Sequence, residues 1–172
     1  METTLTGLIV IMLLLLVVLT LAHAFLSVQS AALDSWRDTE ARLTEQARTD
    51  LLSLGGQTLA GGALVEIGLQ NSGSVKLADF DRWDVIVQYQ DSLGGHHVDW
   101  LPYSQAGDRW TVKGIYLDAS QGTAEFFEPN ILNGGEELVI QMTLSSWVGS
   151  GTTNLATVVT PNGIGVSTVF TY

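Results

Sequence analysis

Leu8-Ile9-Val10-Ile11-Met12-Leu13-Leu14-Leu15-Leu16-Val17-Val18-Leu19 decides how this chain must be read. Every position is apolar, so a helix here is apolar on all faces, as a fully buried or membrane-spanning helix is. The uncharged stretch is longer still: no Asp, Glu, Lys or Arg occurs from Thr3 to Leu33, and Thr20 and His23 are the clear polar interruptions before Leu26. About 20 apolar residues cross a bilayer core, whereas residues 3–33 as a helix are about 45 Å long. The surplus needs burial of its own. A bundle of copies of the same helix supplies it, with Leu8, Ile11, Leu15, Val18, Leu19 and Leu26 as the expected assembly positions. A permanent single-span anchor tolerates the same composition. A cleaved signal peptide would have a basic start and a small-x-small site. Met-Glu-Thr-Thr has no basic residue, and the helical pattern runs straight through the nominal site at Ala22-His23-Ala24.

Beyond the apolar run the helix turns amphipathic. Trp36, Leu43, Ala47, Leu51 and Leu54 recur at spacings of three, four or seven, one stripe of a helix. Asp34–Arg37, Asp38–Arg42 and Glu45–Arg48 stand three or four residues apart, each pair worth a few tenths of a kcal/mol. Gly55-Gly56 is the expected stop. The reading is one helix of roughly 50 residues, Leu5 to Leu54, about 75–80 Å long.

After Gly56 the period changes to two. Gly61-Gly62, Gly94-Gly95, Gly134-Gly135, Asn71-Ser72-Gly73 and Pro161-Asn162-Gly163 punctuate the chain as turns do. Between them lie seven expected strands: 63–70, 84–90, 97–103, 110–117, 138–144, 154–160 and 164–172. Ala63, Val65, Ile67 and Leu69 share one side of the first, and Val85, Val87 and Tyr89 one side of the second. Many short strands with frequent turns predict an antiparallel immunoglobulin-like β-sandwich. Gln121 to Gly135, with Phe126-Phe127-Glu128-Pro129-Asn130, reads as a long crossover loop. The fold class is therefore α+β, with residues 1–54 a helical membrane segment or filament core and 55–172 the outer sandwich.

Composition narrows the function. The net charge is −11, from 18 acidic and 7 basic residues, which argues against nucleic acid and against an anionic lipid surface. There is no cysteine, so disulfides, thiolate metal sites and thiol nucleophiles are excluded. No Walker, H-E-x-x-H, nucleophile-elbow or dinucleotide motif occurs, and the chain reads as a non-enzyme without a cofactor. No N-x-[ST] sequon is present.

The opening Leu5-Thr6-Gly7-Leu8-Ile9-Val10-Ile11 and its apolar helix resemble the N-terminus of archaellins, the archaeal flagellins, and of their pilin relatives. Three further stretches are similar to archaellin turns. Asn71-Ser72-Gly73 through Tyr89 is similar to an N-x-G-x-x-x-L strand–turn–strand region. Asn130-Ile131-Leu132-Asn133-Gly134-Gly135-Glu136-Glu137-Leu138 looks like an L-x-x-G-E-x-L turn, and Thr160-Pro161-Asn162-Gly163 a T-P-x-G turn. The resemblance implies a structural subunit of an extracellular helical filament for swimming motility, a homopolymer with bundled N-terminal helices. It further implies insertion in the membrane before assembly, and handling by the archaellum or pilus assembly machinery and a class III signal peptidase. In the family the apolar run starts a few residues after the mature N-terminus, which Leu8 fits if Met1 lies close to that start. A stator-type accessory protein of the same machinery, anchored in the membrane, and an adhesive pilin share the layout. Glu2 could pair with the terminal amine of a neighbouring copy, as an acidic residue does in type IV pilins.

Other residues have a functional and a plain reading. His96, His97 and Asp99, and separately Asp79, Asp81 and Asp84, have metal-ligand chemistry, but turn and hairpin positions in water explain them as well. His23 is either a proton-linked switch or a neutral histidine bonded within the helical core. Trp83, Trp100, Trp110 and Trp147 read as core or sandwich-edge residues rather than a ligand platform.

Overall fold

The computed structural model describes residues 2–104 and 109–172, with side chains from Leu5 onward. Residues 1–43 and 44–172 form two compact units. The first is helical throughout its described length, and α1 as a whole runs Glu2–Arg48. No Pro and only Gly7 interrupt it. The hydroxyls of Thr20, Ser30 and Thr39 fold back on carbonyls three or four residues earlier, which lets polar side chains sit in an apolar helix without unpaired donors.

The second unit is a two-sheet antiparallel sandwich, as the alternating patterns require. One sheet has the order β1-β2-β7-β5-β6, from β1 (Leu51–Leu59), β2 (Leu64–Asn71), β5 (Arg109–Asp118), β6 (Thr123–Ala124) and β7 (Glu137–Thr143). The other has the order β4-β3-β8-β9, from β3 (Asp84–Gln90), β4 (His96–Leu101), β8 (Thr153–Val159) and β9 (Gly165–Thr171). Val65, Ile67 and Leu69 of β2 and Leu138, Ile140 and Met142 of β7 face Val85, Val87, Ala156 and Val158 from the opposite sheet, all fully or nearly fully buried. Each such side chain contributes about 1.5–3 kcal/mol relative to exposure. The period of two in the sequence is this inner face.

The helix ends earlier than its sequence suggests. Leu51 to Leu54 continue the helical spacing, yet they open β1, and Leu51 is buried in the sandwich. Residues 51–59 pair with β2 from Leu51 opposite Asn71 to Leu59 opposite Leu64. Pairing along β2 and burial of Leu51 outweigh a weak helical propensity. The junction therefore falls at 49–50 rather than 54–55. Gly55-Gly56 is not a helix stop: the register shifts between Ser53 and Gly55, and Gly55 takes φ +99°, a glycine-dependent bulge. β6 is the other strand the sequence did not show. It is a two-residue pairing within the expected crossover loop.

Candidate functional site

The three turns that resemble archaellins converge on one place, the last helical turn and the two residues after it. Asn71 is fully buried at the end of β2. Its Nδ2 donates to the Val75 carbonyl at 2.8 Å and the Leu132 carbonyl at 3.0 Å, while Oδ1 accepts the Gly73 N–H at 3.1 Å. That side chain shapes the 72–74 loop. The loop in turn donates to the helix end, Ser74 N to the Arg48 carbonyl at 2.8 Å and Ser72 N and Gly73 N to the Asp50 carbonyl. Helix C-terminal carbonyls have no intrahelical partner; this loop supplies one to Arg48, and Thr49 supplies them to Glu45 and Gln46. Gly73 is required by space: a Cβ there would lie 2.5 Å from the Arg48 carbonyl oxygen and 2.6 Å from the Asp50 nitrogen.

The second turn braces the first. Gly135 N donates to the Asn71 carbonyl, and Asn71 N to the Glu136 carbonyl. Glu136 accepts the Asn133 N–H at 2.7 Å, and Leu132 bridges Leu77. The third turn closes the other side. Asn162 donates to the Thr49 hydroxyl at 2.8 Å and accepts Gln46 Nε2 on its carbonyl at 2.7 Å. Thr160 holds this turn through its hydroxyl, bonded to Asn162 Oδ1 and the Ile164 carbonyl. Thr49 is thereby buried. The sequence offers the three loops of this collar as turn motifs and residues 46–50 as helix, and nothing local shows that they join.

The helix positions expected to assemble are unpartnered. Leu8, Ile11, Leu15, Val18, Leu19 and Leu26 are 61–73 % exposed, and their apolar neighbours are exposed too. Covering about ten such side chains at roughly 1.5–3 kcal/mol each is worth about 15–30 kcal/mol, more than the 5–15 kcal/mol that holds a typical domain folded. Such a surface does not stay in water. By length and composition the helix can cross a membrane. His23 lies on this exposed helix. The Glu2 side chain lies outside the described residues.

The polar candidates separate. His96 and His97 are consecutive on β4 and so point to opposite faces. His97 Nε2 lies 2.8 Å from Asp91 Oδ2, and its ring stacks on Tyr89 at 4.9 Å. Asp99 accepts the Tyr89 hydroxyl at 3.1 Å. Asp91 also accepts the Leu93 and Gly95 N–H groups. The His97 hydrogen bond first, then these two, hold its carboxyl below the usual range. It pins the β3–β4 hairpin. Asp79 takes a left-handed φ of 50° beside a 3-10 turn that contains Asp81, and Asp84 instead accepts the Trp100 indole N–H at 2.9 Å. Among the described residues no three His, Asp or Glu side chains gather as a metal set. Trp83 and Trp110 are core residues, whereas Trp100 and Trp147 are exposed.

Among the described residues two carboxylates are buried, Glu136 in the collar and Glu66, on the outer face of β2 at 4 % exposure. Glu66 pairs with Lys113 at 2.8 Å and accepts Gln141 and Gln57. Burial pushes its pKa up, but the hydrogen bonds from Lys113, Gln141 and Gln57 and the Lys113 charge together leave it below the ordinary value. The Glu66 hydrogen bond raises Lys113. An open hollow of about 590 Å³ lies over this face, floored by Gly55, Gly56 and Gly68. Every Glu66 oxygen already has partners within the sheet, so the cluster reads as a structural ion pair.

No protein-family model and no curated protein matches the chain. Solved structures do. The archaeal flagellum of Methanospirillum hungatei strain JF1 aligns over 97 % of this chain and 92 % of its own, at TM-score 0.66 and 15 % identity. The archaellum periplasmic stator protein FlaG from Sulfolobus acidocaldarius covers 71 % of this chain and 99 % of its own, at TM-score 0.53 and 23 % identity. The FlaF and FlaG stator complex from the same organism covers 70 % of this chain, at TM-score 0.52 and 24 % identity. At these identities the likeness establishes the fold: an apolar helix leading into a two-sheet sandwich, the architecture seen in an archaeal filament.

Proposed function

We propose that this chain is a structural subunit of an archaellum-type extracellular filament, assembled through bundled N-terminal helices and serving motility. The observation that carries the reading is a helix exposed and apolar on every face from Leu5 to Val28. A bilayer needs about 20 such residues, and a bundle of identical helices covers a longer run on all sides. The likeness to the flagellum of M. hungatei spans helix and sandwich together, which supports the same assignment. Before assembly the helix sits in the membrane, where a peptidase and the assembly machinery act on it. Leu8, Ile11, Leu15, Val18, Leu19 and Leu26 are the assembly residues, and the collar at 46–50 joins helix to outer domain.

The test is Leu15→Asp or Val18→Asp. A carboxylate in a water-free bundle costs several kcal/mol per copy. Filaments should disappear from electron micrographs while the sandwich still folds. Normal filaments from both variants would end the bundled-helix reading. The stator reading has one observation in its favour, the FlaG likeness that covers nearly all of that protein. It predicts a chain that stays in the membrane fraction and is absent from purified filaments.

A further inference from the structure

We propose that the outer face of the β4-β3-β8-β9 sheet is a contact surface between copies of this chain, and that the Phe126-Phe127 loop of the next copy seats on it. The proposal rests on the filament reading, which sets copies side by side. It starts from the distribution of charge. The chain carries −11, yet residues 138–172 contain no Asp, Glu, Lys, Arg or His. β8 and β9 lie wholly inside that stretch. Register places Val98, Gln88, Leu155 and Val169 in one row across the sheet, with Trp100 beside Ile86 in the next. Val98, Trp100 and Val169 are 56–70 % exposed. Thr157 and Ser167 hydroxyls bond each other at 2.9 Å. Among the described residues the ionisable groups aligned with this face stand at its two ends: Asp84, which already accepts the Trp100 N–H, and His96, opposite Gln90. The outward face of an antiparallel sheet in a monomer normally alternates to polar and charged residues, and an apolar departure marks an interaction surface.

The occupant follows from charge and symmetry. Two copies at −11 repel, so they approach only where the contact adds no like charge. An open polymer needs a heterologous contact, in which two different patches on each copy complement one another. The second patch is Phe126 and Phe127, 87 % and 88 % exposed, their rings edge to face at 6.2 Å. Their acidic neighbours are engaged within the same copy. Glu128 pairs with Lys76 at 2.6 Å, and Glu125 Oε1 accepts the Glu128 N–H. Glu128 is thereby neutralised, while Glu125 keeps its charge, half-buried and bonded to its own loop, so the rings offer apolar surface with one uncompensated carboxylate beside them. Two phenyl groups present about 300 Å², and four strands 4.8 Å apart with about 20 Å of outward length present about 400 Å². Together these fall below the roughly 1,200 Å² of a stable free complex. The contact thus forms between copies already tethered by their helices, where local concentration is high.

The absence of cysteine makes the test direct. Two full-length, differently tagged variants, Phe126→Cys and Ser167→Cys, are co-expressed and treated with a short bismaleimide in intact filaments or membranes. A Val18→Cys variant treated alike reports helix bundling. The expected result is a product joining the two tags, enriched by about 100-fold over the same chains in detergent monomers, and lost when Phe127→Ser is added to the first variant. Helix cross-linking without the mixed product would overturn the docking surface and leave the bundle intact. The mixed product without helix cross-linking would keep the docking surface and remove the bundle. If neither forms, both readings fall. A Phe126→Cys product with an unrelated protein, or a mixed product that persists with Phe127→Ser, also overturns the proposal.

Discussion

Asn71 does more for this fold than any exposed charge. One side chain satisfies two buried carbonyls and one N–H and shapes the loop that caps α1. Truncating it leaves those groups buried and unpaired, at about 1–3 kcal/mol for each unsatisfied group. Asn71→Ala should lower stability by about 2–4 kcal/mol, read as a lower urea midpoint at unchanged slope; a change under about 0.5 kcal/mol would mean the loop holds without it. Glu66 and Lys113 give the second residue-scale prediction, a pH dependence. Glu66 has a lowered pKa when folded, so its contribution is present above about pH 4.3, the usual Glu value, and is lost as pH falls through the folded value. Lys113 has a raised one, so its contribution is present below about pH 10.4 and is lost as pH rises through the folded value. Stability should plateau between and fall at both ends. Glu66→Gln should flatten the acid limb in urea titrations and cost about 1–2 kcal/mol at pH 7. An unchanged acid limb would show that other carboxylates control it.

At the scale of elements, β1 decides where the outer domain begins. Leu51 lies in the core and residues 51–59 pair along β2. A fragment of residues 44–172 should therefore fold alone, with a β-rich circular dichroism spectrum and cooperative unfolding. A fragment of residues 57–172 lacks most of β1 and exposes the edge of β2, and it should be markedly less stable or aggregate. Equal stability of the two would remove β1 from the folding unit. This element is also where the sequence was least legible. Leu51, Leu52 and Leu54 fit a helical stripe as well as a strand, because four residues cannot separate the two periods. Only pairing with β2, which is not written locally, settles it. Seven of the other eight strands are legible to within one or two residues because inward and outward residues alternate along them, less regularly in β5, where the register shifts between Val112 and Gly114. The all-apolar helix was legible from composition. The collar was legible as turns but not as a joined site, because Asn71, Gly135 and Asn162 lie far apart in sequence and meet only through the fold.

The whole molecule divides its charge sharply. Residues 1–33 hold one charged side chain, Glu2, while residues 51–172 hold 12 acidic and 4 basic residues. In the proposed filament the helices lie inside and the acidic sandwiches outside. Close-packed copies then repel one another at low ionic strength, with a screening length of about 10 Å at 0.1 M salt. Cohesion comes from apolar burial along the helices, with the charge-poor sheet face adding a smaller contact. Raising salt to about 1 M shortens the screening length to about 3 Å. That removes repulsion between sandwiches and leaves apolar burial in place, so filament length measured by microscopy should hold or increase from low salt upward. Lowering salt far below 0.1 M should shorten filaments as repulsion reaches across neighbouring copies. Dissociation on raising salt would show that attractive ion pairs hold the polymer. The charged band from Asp34 to Asp50, with Arg37, Arg42 and Arg48 among its acids, would then be the place to seek them, and apolar helix bundling would no longer account for the cohesion.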